Sequence, residues 1–251
     1  MNVKIFVATA GRILAQLRSD RRTVAMIMLV PSLLMVLLYF LYQNVPTPPD
    51  QQSLFARVAI TMLGILPFTV MFLVTSIAMQ RERTSGTLER LLTTPMRKLD
   101  LLGGYAAAFS TAAAGQAALA CAVAFGFLGL ETVGGFEWVI VIAALNAVLG
   151  VALGLLFSAF ARTEFQAVQF MPVVVIPQLF LCGLLVPRDQ LPTWLEWISN
   201  VLPLSYAVEA IQQVATHPGV TAIMWRDLAV VAGFALLALS LGAATLRRRT
   251  P

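Results

Sequence analysis

The sequence predicts an all-α integral membrane protein with six transmembrane helices. An interfacial amphipathic helix should precede them, and short re-entrant helices should lie on the outer side between spans five and six. Three observations predict this class. Only 12% of the 251 residues are charged and 59% are hydrophobic, whereas a soluble domain carries about 25% charged residues. The mean hydropathy is +0.84. Six runs of roughly 20 mostly apolar residues are each long enough, at about 1.5 Å per residue, to cross about 30 Å of hydrocarbon. A water-facing surface cannot be built from this composition, so a soluble enzyme, a disordered chain and a disulfide scaffold are excluded. The net charge of +5 would suggest nucleic acid in a soluble protein. Here it reads as topology signal, and no nucleic-acid partner is expected.

Residues 1–22 are not a span. Val3, Phe6, Ala10, Ile13, Leu14 and Leu17 recur at helical spacing, with Lys4, Arg12 and Arg18 largely off that stripe. This is an amphipathic helix suited to a membrane surface, either an anchor or part of a coupling device. The spans follow at about Val24–Tyr42, Val58–Met79, Gly104–Leu128, Trp138–Ala161, Phe165–Val186 and Leu228–Leu246. The first is too long for the apolar core of a signal peptide and lacks a small-x-small site after it. With the N-terminus inside, only Arg57, Arg188 and Arg226 of the 17 basic residues fall outside. The positive-inside rule then places both termini in the cytoplasm of a multi-pass cell-membrane protein. No room remains for a separate soluble domain, so residues 1–251 read as one transmembrane domain.

The loop over 81–100 is the most informative stretch. Gly86 can N-cap a short helix with Glu89 at its N3 position, and Pro95 ends it after Thr94. Leu88, Leu91 and Leu92 fall at i, i+3, i+4 and share one face. Such a piece buries its leucines on the membrane or in a partner's groove; the plainer alternative is a solvated basic loop that sets topology.

The segment 187–227 lies outside. Leu191, Leu195, Ile198 and Leu202 repeat at helical spacing beside Trp194 and Trp197. Pro192 suits a helix start and Pro203 its end, and a second helix runs from about Ser205 to Thr216. Indoles suit the outer interface, and the segment reads as a gate over an exit, or as a passive cap. It holds few polar groups to read a solute, and Arg188 and Glu196 look too sparse for an ion site. Within the bundle, Gly150, Gly154 and Ser158 on span four, and Gly104, Ala108, Ala112 and Gly115 on span three, make small-residue stripes that let backbones approach. Gln116, Asn146 and Gln178 are polar and belong toward the bundle or a cavity. Pro67, Pro172 and Pro177 permit kinks. No acid lies mid-span, which counts against an ion-driven secondary carrier or channel. The single histidine, His217, and the cysteines Cys121 and Cys182 offer no metal or catalytic site. A membrane-embedded enzyme or scaffold finds no His–acid pair to support it.

Two separated motifs carry a family resemblance. One is Glu82-Arg83-Thr84-Ser85-Gly86-Thr87-Leu88-Glu89 with Thr94-Pro95. The other is Gly183, Pro187, Pro192-Thr193-Trp194-Leu195 and Pro203-Leu204-Ser205-Tyr206. Together, in order and across essentially the whole chain, they resemble the ABC type-2 exporter permeases, including daunorubicin-resistance-like transmembrane subunits. The family often has Gly-Lys after the Pro-containing loop; this chain reads Gly103-Gly104-Tyr105.

The resemblance implies the membrane subunit of an ATP-driven exporter, bound to a cytoplasmic ABC ATPase and paired with itself or a second permease. Glu82, Gly86, Thr87, Leu88, Glu89, Leu91, Leu92 and Pro95 would form the ATPase-coupling loop. Trp194, Trp197, Pro203 and Tyr206 would belong to the outer gate, and Gln116, Asn146 and Gln178 would be the polar groups facing a cavity. No G-x-x-x-x-G-K-[ST] occurs, so no cofactor is expected in this chain, and ATP and Mg belong to the partner. The apolar lining leans toward a lipophilic drug, a lipid or a lipid-linked molecule, with membrane lipids as neighbours.

Overall fold

The computed structural model describes residues 3–46, 53–87 and 98–245. Nine α-helices occur among them: α1 Val3–Ser19, α2 Arg21–Tyr42, α3 Leu54–Thr84, α4 Lys98–Gly126, α5 Phe136–Phe157, α6 Glu164–Leu181, α7 Thr193–Val201, α8 Pro203–Thr216 and α9 Ala222–Thr245. Six of these, α2 to α6 and α9, are long and apolar enough to cross a membrane. The chain is a multi-pass membrane protein.

The helix starts follow local chemistry. Asp20 caps α2, its Oδ1 accepting from the Thr23 backbone N–H at 3.2 Å and its Oδ2 from the Thr23 hydroxyl at 2.7 Å. Exposed as it is, this carboxyl is held below its ordinary pKa by the Thr23 hydroxyl and backbone N–H. Ser53 caps α3 and Thr163 caps α6, while Pro203 opens α8, where its missing N–H costs nothing. The expected span limits hold to within four residues, except that α3 runs on past Met79 to Thr84, α6 stops at Leu181, and α4 and α9 each start six residues early, at Lys98 and Ala222. Gly86 has φ +71, a left-handed conformation that suits the residue just past a helix end. It therefore terminates α3, rather than taking the extended conformation of an N-cap, and Thr87 is already helical. The leucine face expected at Leu88, Leu91 and Leu92, with Glu89 and Pro95, lies outside the described residues.

α3 and α5 form the centre of the bundle. Added Cβ atoms at Gly150 and Gly154 would overlap the backbone oxygens of Phe68 and Phe72, so the glycine stripe on α5 is where the backbones of α5 and α3 meet. α4, α9 and α2 pack around this pair, and α6 packs chiefly on α3. On α4 the stripe divides. Gly104 faces α1, Ala108 is buried, and Gly115 is exposed near Met28. The six long helices alternate in direction. α1 gathers at one end with the end of α3 and the starts of α4 and α6, here called the proximal end. α7 and α8 lie at the other, the distal end, with the starts of α3 and α9.

Candidate functional sites at the two ends of the bundle

At the proximal end α1 lies against the start of α4. Ile13 and Thr9 are buried, whereas Val3 and Leu14, expected on the same stripe, are exposed. The approach is close because Gly104 has no side chain: a Cβ there would sit 2.7 Å from the Thr9 Cβ. One turn away, Arg12 Nη2 donates to the Tyr105 hydroxyl at 2.7 Å, its guanidinium 5.7 Å from that ring's centroid. Arg12 also approaches Glu82 at 3.7 Å. One arginine of α1 thus ties the start of α4 to the end of α3, four residues before Gly86. Arg81, next to Glu82 in the same turn, pairs with Glu164 of α6 at 3.2 Å. The chain's departure from the family pattern, Gly104-Tyr105, supplies both the clearance and the hydroxyl for this junction. The sequence reading placed Gly104 in a close-packing stripe without naming α1 as its neighbour, and gave Tyr105 no role.

In mid-bundle, Gln116, Asn146 and Gln178 are buried between helices. Asn146 Nδ2 donates to the Gly64 carbonyl at 2.6 Å, joining α5 to α3. Gln178 Nε2 donates to Val174 O at 3.0 Å, and its Oε1 accepts from the Leu204 N–H at 3.3 Å, which fixes the start of α8 against α6. Neither amide atom of Gln116 has a partner among the described residues. None of the three lines the distal cavity.

The distal end is where the sequence reading needs correcting. Arg188, expected with Glu196 to be too sparse for an ion site, is a hub. Its Nε donates to Ser199 Oγ at 3.0 Å, its Nη1 to Glu209 at 2.5 Å, and its Nη2 to the Asn200 side-chain oxygen. Its guanidinium lies 5.5 Å from the centroid of Tyr206, whose hydroxyl donates to Asn200 O at 2.7 Å. Glu209 also meets Arg226 at 3.1 Å, and Arg226 pairs with the buried Asp227 at 2.7 Å. Charges from three segments, 188, 209 and 226–227, therefore close one network. Per-segment counting of charges could not reveal it; the available signal was four charges in stretches too apolar to leave them all in water. Of the expected gate residues, Trp194 and Trp197 are exposed, Pro203 is buried at the start of α8, and Tyr206 belongs to the hub.

A family model described as ABC-2 type transporter matches residues 3–215. The chain is 27% identical over 172 residues to a probable multidrug ABC transporter permease, YbhR, of Escherichia coli, covering 67% of this chain and 44% of that protein. It is 28% identical over 173 residues to nodulation protein J of Rhizobium leguminosarum bv. trifolii, 68% and 65% of the two chains. It is 27% identical over 153 residues to ABC transporter G family member 20 of Dictyostelium discoideum, 61% of this chain and 21% of that one. The chain thus spans less than two thirds of the length of each of these relatives.

Proposed function

Because this chain belongs to the ABC-2 type transporter family, we propose that it is the membrane subunit of an ATP-driven exporter. Its proximal end faces the cytoplasm of the cell membrane, with both termini inside. There it engages a cytoplasmic ABC ATPase, which holds ATP and Mg. A second permease, identical or different, completes the translocation path. The cargo is lipophilic: a drug, a lipid or a lipid-linked molecule leaving the cytoplasm or inner leaflet. The multidrug designation of the Escherichia coli relative and the apolar bundle support that cargo class.

The observation that carries the reading is the Arg12 junction. A surface anchor alone would have no need to grip two spans. α1 holds α4 through Tyr105 and α3 through Glu82, beside the loop that contains Leu88, Leu91 and Leu92. A push on that loop is thereby shared among three helices, instead of bending one.

The test is Leu88→Asp. An unpaired charge in a buried contact costs several kcal/mol, about 1.4 kcal/mol per tenfold in affinity. The variant should insert normally but lose co-purification with the ATPase and substrate-stimulated ATP hydrolysis. Full co-purification together with full transport would refute the assignment.

A further inference from the structure

Beside the Arg188 hub lies a cavity of about 1300 Å³. It is bounded by the first turns of α3, the 182–189 link, α7, α8 and the start of α9. Its charges are balanced but not mutually satisfied. Arg188, Glu209 and Arg226 are engaged with one another. Three other lining charges have no side-chain partner among the described residues: Arg57 on α3, Asp189 in the link and Glu196 on α7. Val58, Leu184 and Val230 supply apolar wall between them. One edge-to-face pair of indoles, Trp138 and Trp225, with centroids 5.7 Å apart, stands at this end of the bundle next to Arg226. Tryptophan concentrates at the level of lipid head groups, so the cavity lies at head-group depth.

A cation on one wall, two anions on another and apolar surface between describe a complementary ligand. Coulomb attraction in a partly enclosed site is several times that in bulk water. A purely anionic head would gain from Arg57 but meet Asp189 and Glu196. A purely cationic one would meet Arg57. A head carrying both charges satisfies both walls, and its chains can leave along the apolar side. We propose that this cavity is a binding site for a zwitterionic phospholipid of the surrounding bilayer. Arg57 takes the phosphate, and Asp189 and Glu196 take the ammonium group. The site lies within one protomer and apart from the proximal coupling junction.

The test is binding of short-chain phosphatidylethanolamine and phosphatidylglycerol to the purified permease in detergent, read by native mass spectrometry without ATPase or nucleotide. Failure here leaves the exporter reading intact, and failure of Leu88→Asp leaves this site intact. The parent should bind phosphatidylethanolamine the more tightly. Arg57→Gln should weaken it about tenfold, one charge-assisted contact by the usual conversion. The double variant Asp189→Asn/Glu196→Gln should weaken it similarly while sparing or strengthening phosphatidylglycerol. Arg18→Gln, at the proximal end, should change neither. Arg18, Arg57 and Asp189 are exposed and Glu196 is half-buried, and unchanged melting will confirm folding. Equal affinity of the parent for the two lipids would overturn the proposal. So would full phosphatidylethanolamine binding by Arg57→Gln or by the double variant, or an equal loss in Arg18→Gln.

Discussion

Replacing Gly104 by alanine adds a single methyl group at the tightest contact of α1. Ordinary carbon–carbon contact is about 3.5–4.0 Å, whereas the new Cβ would stand 2.7 Å from both Thr9 Cβ and Cγ2 and 3.3 Å from the Ala10 nitrogen. The Thr9 side chain cannot swing clear, because its hydroxyl is bonded back to Ile5 O at 2.9 Å and its Cβ is fixed to the helix. α1 must therefore lift by about 1 Å, the shortfall in contact distance. That displacement takes the Arg12–Tyr105 bond from 2.7 Å beyond the range of about 2.7–3.2 Å in which such bonds are effective. Overpacking of this kind costs about 1–3 kcal/mol, so the undocked population of α1 should rise about 5- to 150-fold. Two neighbours calibrate the effect. A Cβ at Gly103 meets only the Phe6 ring, at 3.2 Å, and one at Gly11 meets nothing within 4 Å. Amide hydrogen exchange across α1 should accelerate strongly in Gly104→Ala, weakly in Gly103→Ala and not in Gly11→Ala, while α3 and α5 keep their protection. On the proposed function, substrate-stimulated ATP hydrolysis by the partner should fall in the same order. Exchange in Gly104→Ala matching that of Gly11→Ala would refute the packing argument.

The remaining predictions concern the centre, the distal end and the α2 cap. Gly150→Ala and Gly154→Ala, whose Cβ atoms meet the α3 backbone, should each cost about 1–3 kcal/mol, read as a lower melting temperature in detergent, whereas Gly126→Ala, in open space, should not. Arg188→Lys should loosen α7 nearly as much as Arg188→Gln, because an ammonium cannot span Ser199, Asn200 and Glu209 as a planar fork does; limited proteolysis between 182 and 202 is the readout, and full rescue by lysine would contradict it. Asp20 titrates below its ordinary value of 3.8, so its contribution to α2 is complete above that pH and is lost as pH falls through the lowered value. Protection at the first turn of α2, the exchange rate relative to that of the unstructured chain at the same pH, should therefore fall in acid in the parent and stay unchanged with pH in Asp20→Ala.

The spans were legible because long apolar runs leave the backbone one way to satisfy its hydrogen bonds in lipid, the helix. Their ends were less legible for the same reason. Where its apolar run ends at Met79, α3 continues through Arg81 and Arg83 to Thr84; hydropathy carries no signal there, and only the left-handed Gly86 marks the stop. Small-residue spacing announced Gly150 and Gly154 correctly, since both meet one neighbour. It grouped Gly104 with Gly115, whereas the first faces α1 and the second is exposed on another side. The Arg188 network was hidden for a further reason. From Arg188 its other members lie 11 to 39 residues away in sequence, and no periodicity links positions on different helices.

Ion pairs stand at both ends of this fold: Arg12–Glu82 and Arg81–Glu164 proximally, Arg188–Glu209 and Arg226 with Glu209 and Asp227 distally. Between them, α3 is the element common to both. Its 31 residues extend about 46 Å at 1.5 Å per residue. Its last turn carries Arg81 and Glu82, and its first turn carries Arg57 at the distal cavity. Midway, Phe68 and Phe72 seat their carbonyls against Gly150 and Gly154 of α5, and Asn146 bonds Gly64 O. Contacts this close leave little room for α3 to slide independently of α5, because close-packed interiors transmit displacement instead of absorbing it. If an ATPase acts on the proximal end, the two helices should therefore move as one body, tilting the walls of the distal cavity without breaking the glycine contacts. The distance between spin labels at the exposed positions 57 on α3 and 137 on α5 should then stay the same in nucleotide-free and nucleotide-trapped complexes, whereas the distance between labels at 57 and 196 across the cavity should change. A change in the first distance, with the second constant, would mean that α3 slides on α5 and that the rigid pair is the wrong mechanical unit.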